Sequence, residues 1–138
     1  MYRQVVIISN FDVAGLRSIL REALSETQFC RENAQNLTEV QEIQRMHDPN
    51  AVFLLDFSSY HLCDGVNVSD CGKNFAEINW DRIILYSNCA CDCKVAGVPD
   101  EVSSHVVRLG DCGKQMVADF VATINAKFES LESNPIPA

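Results

Sequence analysis

Asp56 is the first residue whose type and position suggest chemistry, because it ends a buried apolar segment. Residues 51–55 are consecutively apolar and are bounded by turn-forming residues on both sides. This run is too short for a helix and fits a strand buried on both faces of a parallel sheet. A carboxylate at the carboxyl end of such a strand faces the crevice where open α/β sheets place their chemistry. The alternative is that Asp56 only caps the following turn.

Cysteine is the second residue type that suggests chemistry, because the chain has seven. Four of them follow the predicted ends of the fourth and fifth strands and are candidate ligands or redox groups: Cys89, Cys91, Cys93 and Cys112. Clustered thiolates bind Zn²⁺ or iron–sulfur clusters, or form a redox switch. However, Cys-x-Cys-x-Cys is not the spacing of common zinc sites, and free cysteine is also an ordinary small core residue. Both interpretations stay open.

Other catalytic signals are missing from the sequence. His47, His61 and His105 are scattered singly, which is typical of surface or capping residues. There is no Ser/His/Asp order, no glycine-rich phosphate loop and no pair of carboxylates. The sequence therefore predicts a protein that is not an enzyme.

Composition restricts the class of protein. At 138 residues the chain is long enough for one domain with a real core. A net charge of −8 argues against this segment binding a nucleic-acid phosphate backbone by itself. No apolar run reaches the ~18 residues of a membrane span, and no signal-peptide pattern precedes the first strand. We expect a cytoplasmic protein with no membrane partner, in which the cysteines are reduced or are ligands.

Strands and helices alternate along the chain. Apolar runs predict strands at 5–9, 27–30, 51–56, 82–86 and 106–109. Helical periodicity predicts helices at 12–24, from a Thr38 cap to about residue 47, briefly at 74–78, and from Asp111 through an apolar stripe that ends at Phe128. The predicted fold is α/β: a three-layer, doubly wound, five-stranded parallel sheet of flavodoxin-like order 2-1-3-4-5. Residues 1–128 form the domain and 129–138 a linker or disordered tail.

The ends of these predicted strands resemble those of the receiver (CheY-like) domain of bacterial response regulators, over about residues 4–128. Leu54-Leu55-Asp56 is similar to the motif whose aspartate accepts a phosphoryl group in that family. Ser87 matches the serine or threonine that contacts this group. The resemblance implies that Asp56 is equivalent to the phosphoacceptor and Ser87 to the phosphoryl contact.

The chain departs from the receiver pattern where that family holds Mg²⁺. The family's acidic pair at the end of the first strand is replaced by Ser9 and Asn10. Because Mg²⁺ dehydrates reluctantly and relies on carboxylate charge, this replacement weakens the site. Asp56 and Asp12 are weak candidate ligands, and Mg²⁺ is expected only if the domain is phosphorylated. No other cofactor is predicted.

A second departure concerns the lysine that ends the fifth strand of a receiver. Gly110 stands at that position. Arg108 is expected to face the other side of the sheet, and Lys114 lies on the following helix, so neither is a clear substitute. The sequence thus predicts a degenerate receiver.

Residues 55–58 and 83–87 are also similar to strand ends in the N-terminal domains of LuxR/FixJ-type (CsgD/VpsT-like) transcription regulators. This resemblance implies a regulatory domain that acts by protein–protein association, as a homodimer or with another protein. DNA would be bound only by a further domain beyond residue 138. A working receiver phosphorylated at Asp56 with an altered Mg²⁺ site and a cysteine-based redox or metal sensor are the alternatives.

Overall fold

The computed structural model describes residues 3–10, 13–56, 77–87, 107–108 and 114–133. Strands and helices alternate along these residues, as the sequence predicts. The elements are β1 (Arg3–Ile8), α1 (Ala14–Ala23), β2 (Thr27–Glu32), α2 (Leu37–Met46), β3 (Val52–Asp56), β4 (Ile83–Ser87), β5 (Val107–Arg108) and α3 (Lys114–Ser133).

The strands form one parallel sheet with β1 and β3 at its centre. Four strands of five or six residues lie in the order β2-β1-β3-β4. The two residues of β5 pair with the end of β4 and extend this order by one strand. The predicted α/β class and the order of the first four strands are confirmed, while the described part of the fifth strand is shorter than predicted.

Each face of the sheet has its own apolar core, which gives three layers. Val6 and Ile8 of β1 point to the face covered by α2, whereas Val5 and Ile7 point to the face covered by α1 and α3. Because both faces are covered, the central strands read as continuous apolar runs in the sequence. None of the residues 5–8 and 52–55 is more than 1% exposed.

Helix α2 begins earlier than the Thr38 cap that the sequence suggested. Asn36 is the N-cap, and its Oδ1 accepts a hydrogen bond from the Glu39 backbone N–H at 2.9 Å. The Glu39 carboxylate in turn accepts a hydrogen bond from the backbone N–H of Gln35. This resembles a capping box, except that the Glu39 carboxylate binds the residue before the N-cap, and it lies two residues before the predicted one. The earlier start brings Leu37 into the helix and buries it in the core.

Helix α3 continues to Ser133, beyond the boundary at residue 128 that the sequence suggested. Its last turns have partners in the domain: Leu131 packs against the core and Glu132 binds Arg3. The apolar stripe of α3 is buried, with Phe120 and Ile124 at 0% and Phe128 at 3% exposure. That stripe is therefore core, and only the outer face of α3 remains available for association.

Strand β4 begins one residue later than predicted because a 3-10 turn at Trp80–Arg82 precedes it. Arg82 is 2% exposed, and its Nη2 donates to Asn50 Oδ1 at 3.4 Å. Burial of Arg82 lowers the pKa of its guanidinium.

Among the helices that the structure describes, none is both long enough and apolar enough to cross a bilayer.

Candidate functional site

Three polar side chains end neighbouring strands on the sheet face that α1 and α3 cover. Ser9 follows β1, Asp56 ends β3 and Tyr86 lies in β4. The register pairs Ile8 with Leu55 and Asp56 with Tyr86, so the three polar residues form one row across the sheet. We call Ser9, Asp56 and Tyr86 the carboxyl-edge row. The row lies on the same face as the apolar side chains that precede it in each strand. It is at the carboxyl ends of the strands, the edge where α/β sheets place ligands.

Ser9 and Asp56 form a buried hydrogen bond. The Ser9 hydroxyl donates to Asp56 Oδ2 at 2.7 Å, and the two residues are 0% and 1% exposed. The Ser9 backbone N–H donates to the Glu32 carbonyl at 3.0 Å and holds Ser9 in place beside β2. A hydrogen bond to a carboxylate in such a dry site is stronger than one between neutral groups. A reagent that attacks Asp56 would first have to displace this hydroxyl.

Tyr86 brings a buried phenol to the same row. Its ring packs against Phe120 of α3 with centroids 5.7 Å apart and planes tilted by 40°. The residue is 1% exposed, and its hydroxyl makes no hydrogen bond of normal geometry with the described residues, although the Ser9 hydroxyl is near enough to lower the pKa of the phenol. Burial, followed by the nearby Asp56 carboxylate, raises the pKa of the phenol well above its ordinary value. Tyr86 is therefore a neutral donor close to a carboxylate.

Asn10 occupies the second acidic-pair position and points away from Asp56. Its Nδ2 donates to the Ala34 carbonyl at 2.8 Å, across the loop between β2 and α2. Arg31 brings a cation near the row from the edge strand, where its Nη2 reaches the Ser9 carbonyl at 3.5 Å. The positive charge of Arg31 lowers the pKa of the Tyr86 phenol and so offsets part of the increase caused by burial.

This geometry does not fit the Mg²⁺ site that the receiver resemblance would imply. Mg²⁺ takes near-octahedral oxygen ligands and is usually bound through carboxylates. Here the Ser9 hydroxyl directs its hydrogen at Asp56, and the Asn10 amide is engaged by a carbonyl. Over the described ranges, no group of three or more His, Cys, Asp or Glu residues could hold a metal ion.

The remaining predicted site residues stay predictions. Ser87 ends β4 and its backbone pairs with Arg108, but its side chain lies outside the described part. The Lys114 backbone begins α3, and its side chain is likewise outside. Six candidates lie entirely outside the described residues: Asp12, Gly110, Cys89, Cys91, Cys93 and Cys112.

One cysteine and one histidine are described. Cys30 is half-buried beside the α2-side core and accepts a hydrogen bond from Gln4 Nε2 at 3.6 Å. Burial raises the pKa of its thiol. His47 is the C-cap residue of α2, which agrees with its prediction as a surface or capping residue. Its Nε2 lies 3.2 Å from a Glu32 carboxylate oxygen. Neither belongs to the carboxyl-edge row.

Tyr86 is the member of the row that sequence reasoning missed, since it was assigned only as part of a buried strand. A signal was available in its position. Asp56 is the last residue of the predicted strand 51–56 and Tyr86 is the last residue of the predicted strand 82–86, so parallel pairing of the two strands places them side by side. A tyrosine at the end of an otherwise aliphatic strand also needs an explanation for its hydroxyl.

Comparison with known proteins gives a likeness in fold alone. No protein-family model matches this chain, and no curated protein matches it. A solved structure with a similar fold is the lysine decarboxylase LdcF of Francisella novicida, with a TM-score of 0.50 and 13% sequence identity over 94% of this chain. This chain spans only 18% of the length of that protein. At this identity the likeness supports the α/β fold and carries no activity over.

Proposed function

We propose that this chain is a pseudo-receiver, a regulatory domain that signals by protein–protein association and not by phosphorylation or catalysis. The observation that carries the proposal is the Ser9–Asp56 hydrogen bond of 2.7 Å. A working receiver needs an accessible carboxylate and further negative charge to hold Mg²⁺ beside it. In this chain Asp56 is buried, and the neighbouring strand supplies a hydroxyl that binds the carboxylate directly.

The resemblance to LuxR/FixJ-type regulators suggests a finer form of this proposal. The domain would control a DNA-binding domain attached beyond residue 138, and DNA would be contacted only by that second domain. The net charge of −8 agrees with a segment that does not bind DNA itself. The full reading frame tests this point, because a helix-turn-helix downstream is expected and its absence would leave a protein partner as the only output.

The outer face of α3 is the surface that we propose for association. Ala118, Ala122 and Ala126 recur every four residues and are all exposed, opposite the buried Phe120 and Phe128. Side chains four apart lie on one face of a helix, and small side chains let a second helix approach closely. We expect a homodimer in which this face of one copy packs against the same face of the other.

Phosphorylation is tested with the whole protein, Mg²⁺ and beryllofluoride, a phosphoryl mimic, by isothermal titration calorimetry. We expect no saturable heat of binding from the wild type or from Asp56→Asn. The matched control is Asp81→Asn, which removes an exposed carboxylate next to the other end of β4. Saturable binding that Asp56→Asn abolishes and Asp81→Asn retains would overturn the pseudo-receiver and favour a working receiver.

Association is tested by sedimentation velocity over a range of protein concentrations. Ala122→Arg places a charged side chain in the proposed contact and is expected to convert the dimer to a monomer. Ala23→Arg makes the same change at an exposed position of α1 and is expected to leave the dimer intact. A wild-type monomer at every concentration, or equal loss of the dimer in both variants, would contradict this surface.

A further inference from the structure

The buried polar groups of the carboxyl-edge row differ in the hydrogen bonds that they make. Asp56 accepts a hydrogen bond of 2.7 Å from the Ser9 hydroxyl, while the equally buried Tyr86 hydroxyl makes none of normal geometry with the described residues and only approaches Ser9 closely enough to affect the pKa of the phenol. An unpaired buried hydroxyl raises the free energy of the folded state by the cost of leaving water without a new hydrogen bond. A small rearrangement that gave Tyr86 an acceptor would recover this cost.

The Asp56 carboxylate is the acceptor within reach of that rearrangement. Asp56 and Tyr86 are direct partners in the register of β3 and β4, so their side chains leave the sheet on the same face. The carboxylate charge is also felt by the phenol, because it contributes to the raised pKa of Tyr86. Ser9 reaches the same carboxylate from the opposite side, since β1 and β4 flank β3.

We propose that Ser9 and Tyr86 are alternative hydrogen-bond donors to Asp56, and that exchange between them moves Phe120 and helix α3. The structure holds the state in which Ser9 donates. In the other state Ser9 turns away and the Tyr86 hydroxyl donates to Asp56. The proposal deepens the proposed function and rests on it, because α3 carries the association surface.

The row meets α3 at the aromatic contact between Tyr86 and Phe120. The Tyr86 ring lies against Phe120, which is 0% exposed, and because protein cores are close-packed a shift of one ring is expected to displace the other. Phe120 lies between Ala118 and Ala122 on α3, and these two residues face outward. A movement of the Tyr86 ring toward Asp56 therefore changes the position of the outer face of α3. A partner that prefers one position shifts the population of the two states.

The exchange is tested by removing one donor at a time and observing the other. Ser9→Ala leaves Tyr86 as the available donor, and Tyr86→Phe removes the hydroxyl while keeping the ring. The direct readout is the ¹³Cζ resonance of tyrosine, which responds to hydrogen bonding of the phenol. The chain has three tyrosines, and the signal of Tyr86 is assigned as the one missing from Tyr86→Phe.

We expect Ser9→Ala to shift the Tyr86 Cζ resonance together with the backbone amide resonances of residues 118–124. In the double variant Ser9→Ala/Tyr86→Phe these amides should return to their positions in Tyr86→Phe alone. Ser9→Ala should also lower the urea midpoint less than the same change does in the Tyr86→Phe background. The matched control is Ser18→Ala, an exposed position on α1 that should shift neither set of resonances.

An unchanged Cζ resonance in Ser9→Ala would overturn the exchange. Amide shifts of equal size with and without the Tyr86 hydroxyl would overturn its coupling to α3. If Ser9→Ala does not fold, Ser9→Cys supplies a weaker donor and should produce the same shifts at smaller size. None of these measurements uses Mg²⁺, beryllofluoride or self-association. Failure of the proposed function in its own tests is therefore distinguishable from failure of the exchange.

Discussion

Helix α3 is held to one face of the sheet at two ends, and the two ends use polar groups in opposite ways. Near its start, Phe120 packs on Tyr86 beside the buried Ser9–Asp56 pair. Near its end, Arg3 donates to both carboxylate oxygens of Glu132 at 2.8 and 3.0 Å. The Arg3 guanidinium also lies 5.0 Å from the centre of the Phe128 ring. We call this second arrangement the Arg3 clasp.

The two ends differ in access to water. Ser9 and Asp56 are at most 1% exposed, whereas the side chains of Arg3 and Glu132 are 28% and 26% exposed. A buried hydrogen bond cannot be replaced by water, so its loss is costly and little affected by salt. A partly exposed ion pair is screened by solvent and contributes little to stability. The comparison implies that the carboxyl-edge row fixes α3 specifically, while the Arg3 clasp aligns its last turns.

The largest expected effect concerns the apolar anchor at the carboxyl-edge row. Phe120→Ala should lower the free energy of unfolding by about 3–5 kcal/mol, because it leaves a cavity next to the Tyr86 ring. Thr123→Ala is the control on the same helix, since Thr123 is exposed and its hydroxyl only bonds the Asp119 carbonyl; it should change stability by less than about 0.5 kcal/mol. Urea unfolding measures both. Equal costs would mean that α3 does not depend on this contact.

The second prediction isolates the polar group at the same end. Ser9→Ala removes a donor from a buried carboxylate and should cost about 1–3 kcal/mol. The effect should be nearly the same at low and at high salt, because the pair is shielded from solvent ions. Urea unfolding at two ionic strengths checks this, with Ser18→Ala as the exposed serine control. A cost that disappears in high salt would remove the distinction between the two ends.

Much of this architecture is predictable from local patterns. The uninterrupted apolar runs of β1 and β3 indicate strands covered on both faces, and the structure confirms them. The helix start was misplaced because Asn36 and Thr38 are both good caps, and the choice depends on how deeply Leu37 is buried. That burial is a tertiary property, which the local sequence does not contain.

The candidate site was predictable only in part. Asp56 was found from its position after a buried strand, and Ser9 from its place in the receiver-like pattern. The hydrogen bond between them depends on the register of β1 and β3, which periodicity alone does not determine. Tyr86 was overlooked because in an apolar run its ring is typical of core, and its hydroxyl becomes notable only beside a buried carboxylate. The Arg3 clasp joins residues at opposite ends of the chain, so no local pattern indicates it.

The third prediction is a stabilising substitution in the carboxyl-edge row. Tyr86→Phe should raise the free energy of unfolding by up to about 1 kcal/mol, because it removes a buried hydroxyl that makes no hydrogen bond of normal geometry with the described residues and keeps the ring contact with Phe120. Thermal unfolding of the two proteins measures the difference. A loss of more than about 1 kcal/mol would indicate that the hydroxyl has a strong partner in solution, which contradicts its unpaired state here.

The smallest effect is expected at the Arg3 clasp, where Glu132→Gln removes the charge. The hydrogen bond from Arg3 lowers the pKa of the Glu132 carboxyl in the folded protein. Its contribution to stability is therefore present above the pKa of the unfolded chain and is lost as the pH falls through the lower, folded value. The difference between wild type and variant should be measurable at neutral pH and low salt, and should shrink in acid and in high salt.

Urea midpoints at neutral and acidic pH, each at two ionic strengths, measure this difference. Glu129→Gln is the matched control, since Glu129 lies one turn earlier on α3, is exposed, and acts on Arg3 only through its charge. It should give a smaller difference with the same salt dependence. If Glu132→Gln lowered stability as much as Ser9→Ala does, and by the same amount at both ionic strengths, the Arg3 clasp would be shielded from water in solution. In that case both ends of α3 would be fixed by buried polar contacts, and the outer face of the helix would move as one rigid surface.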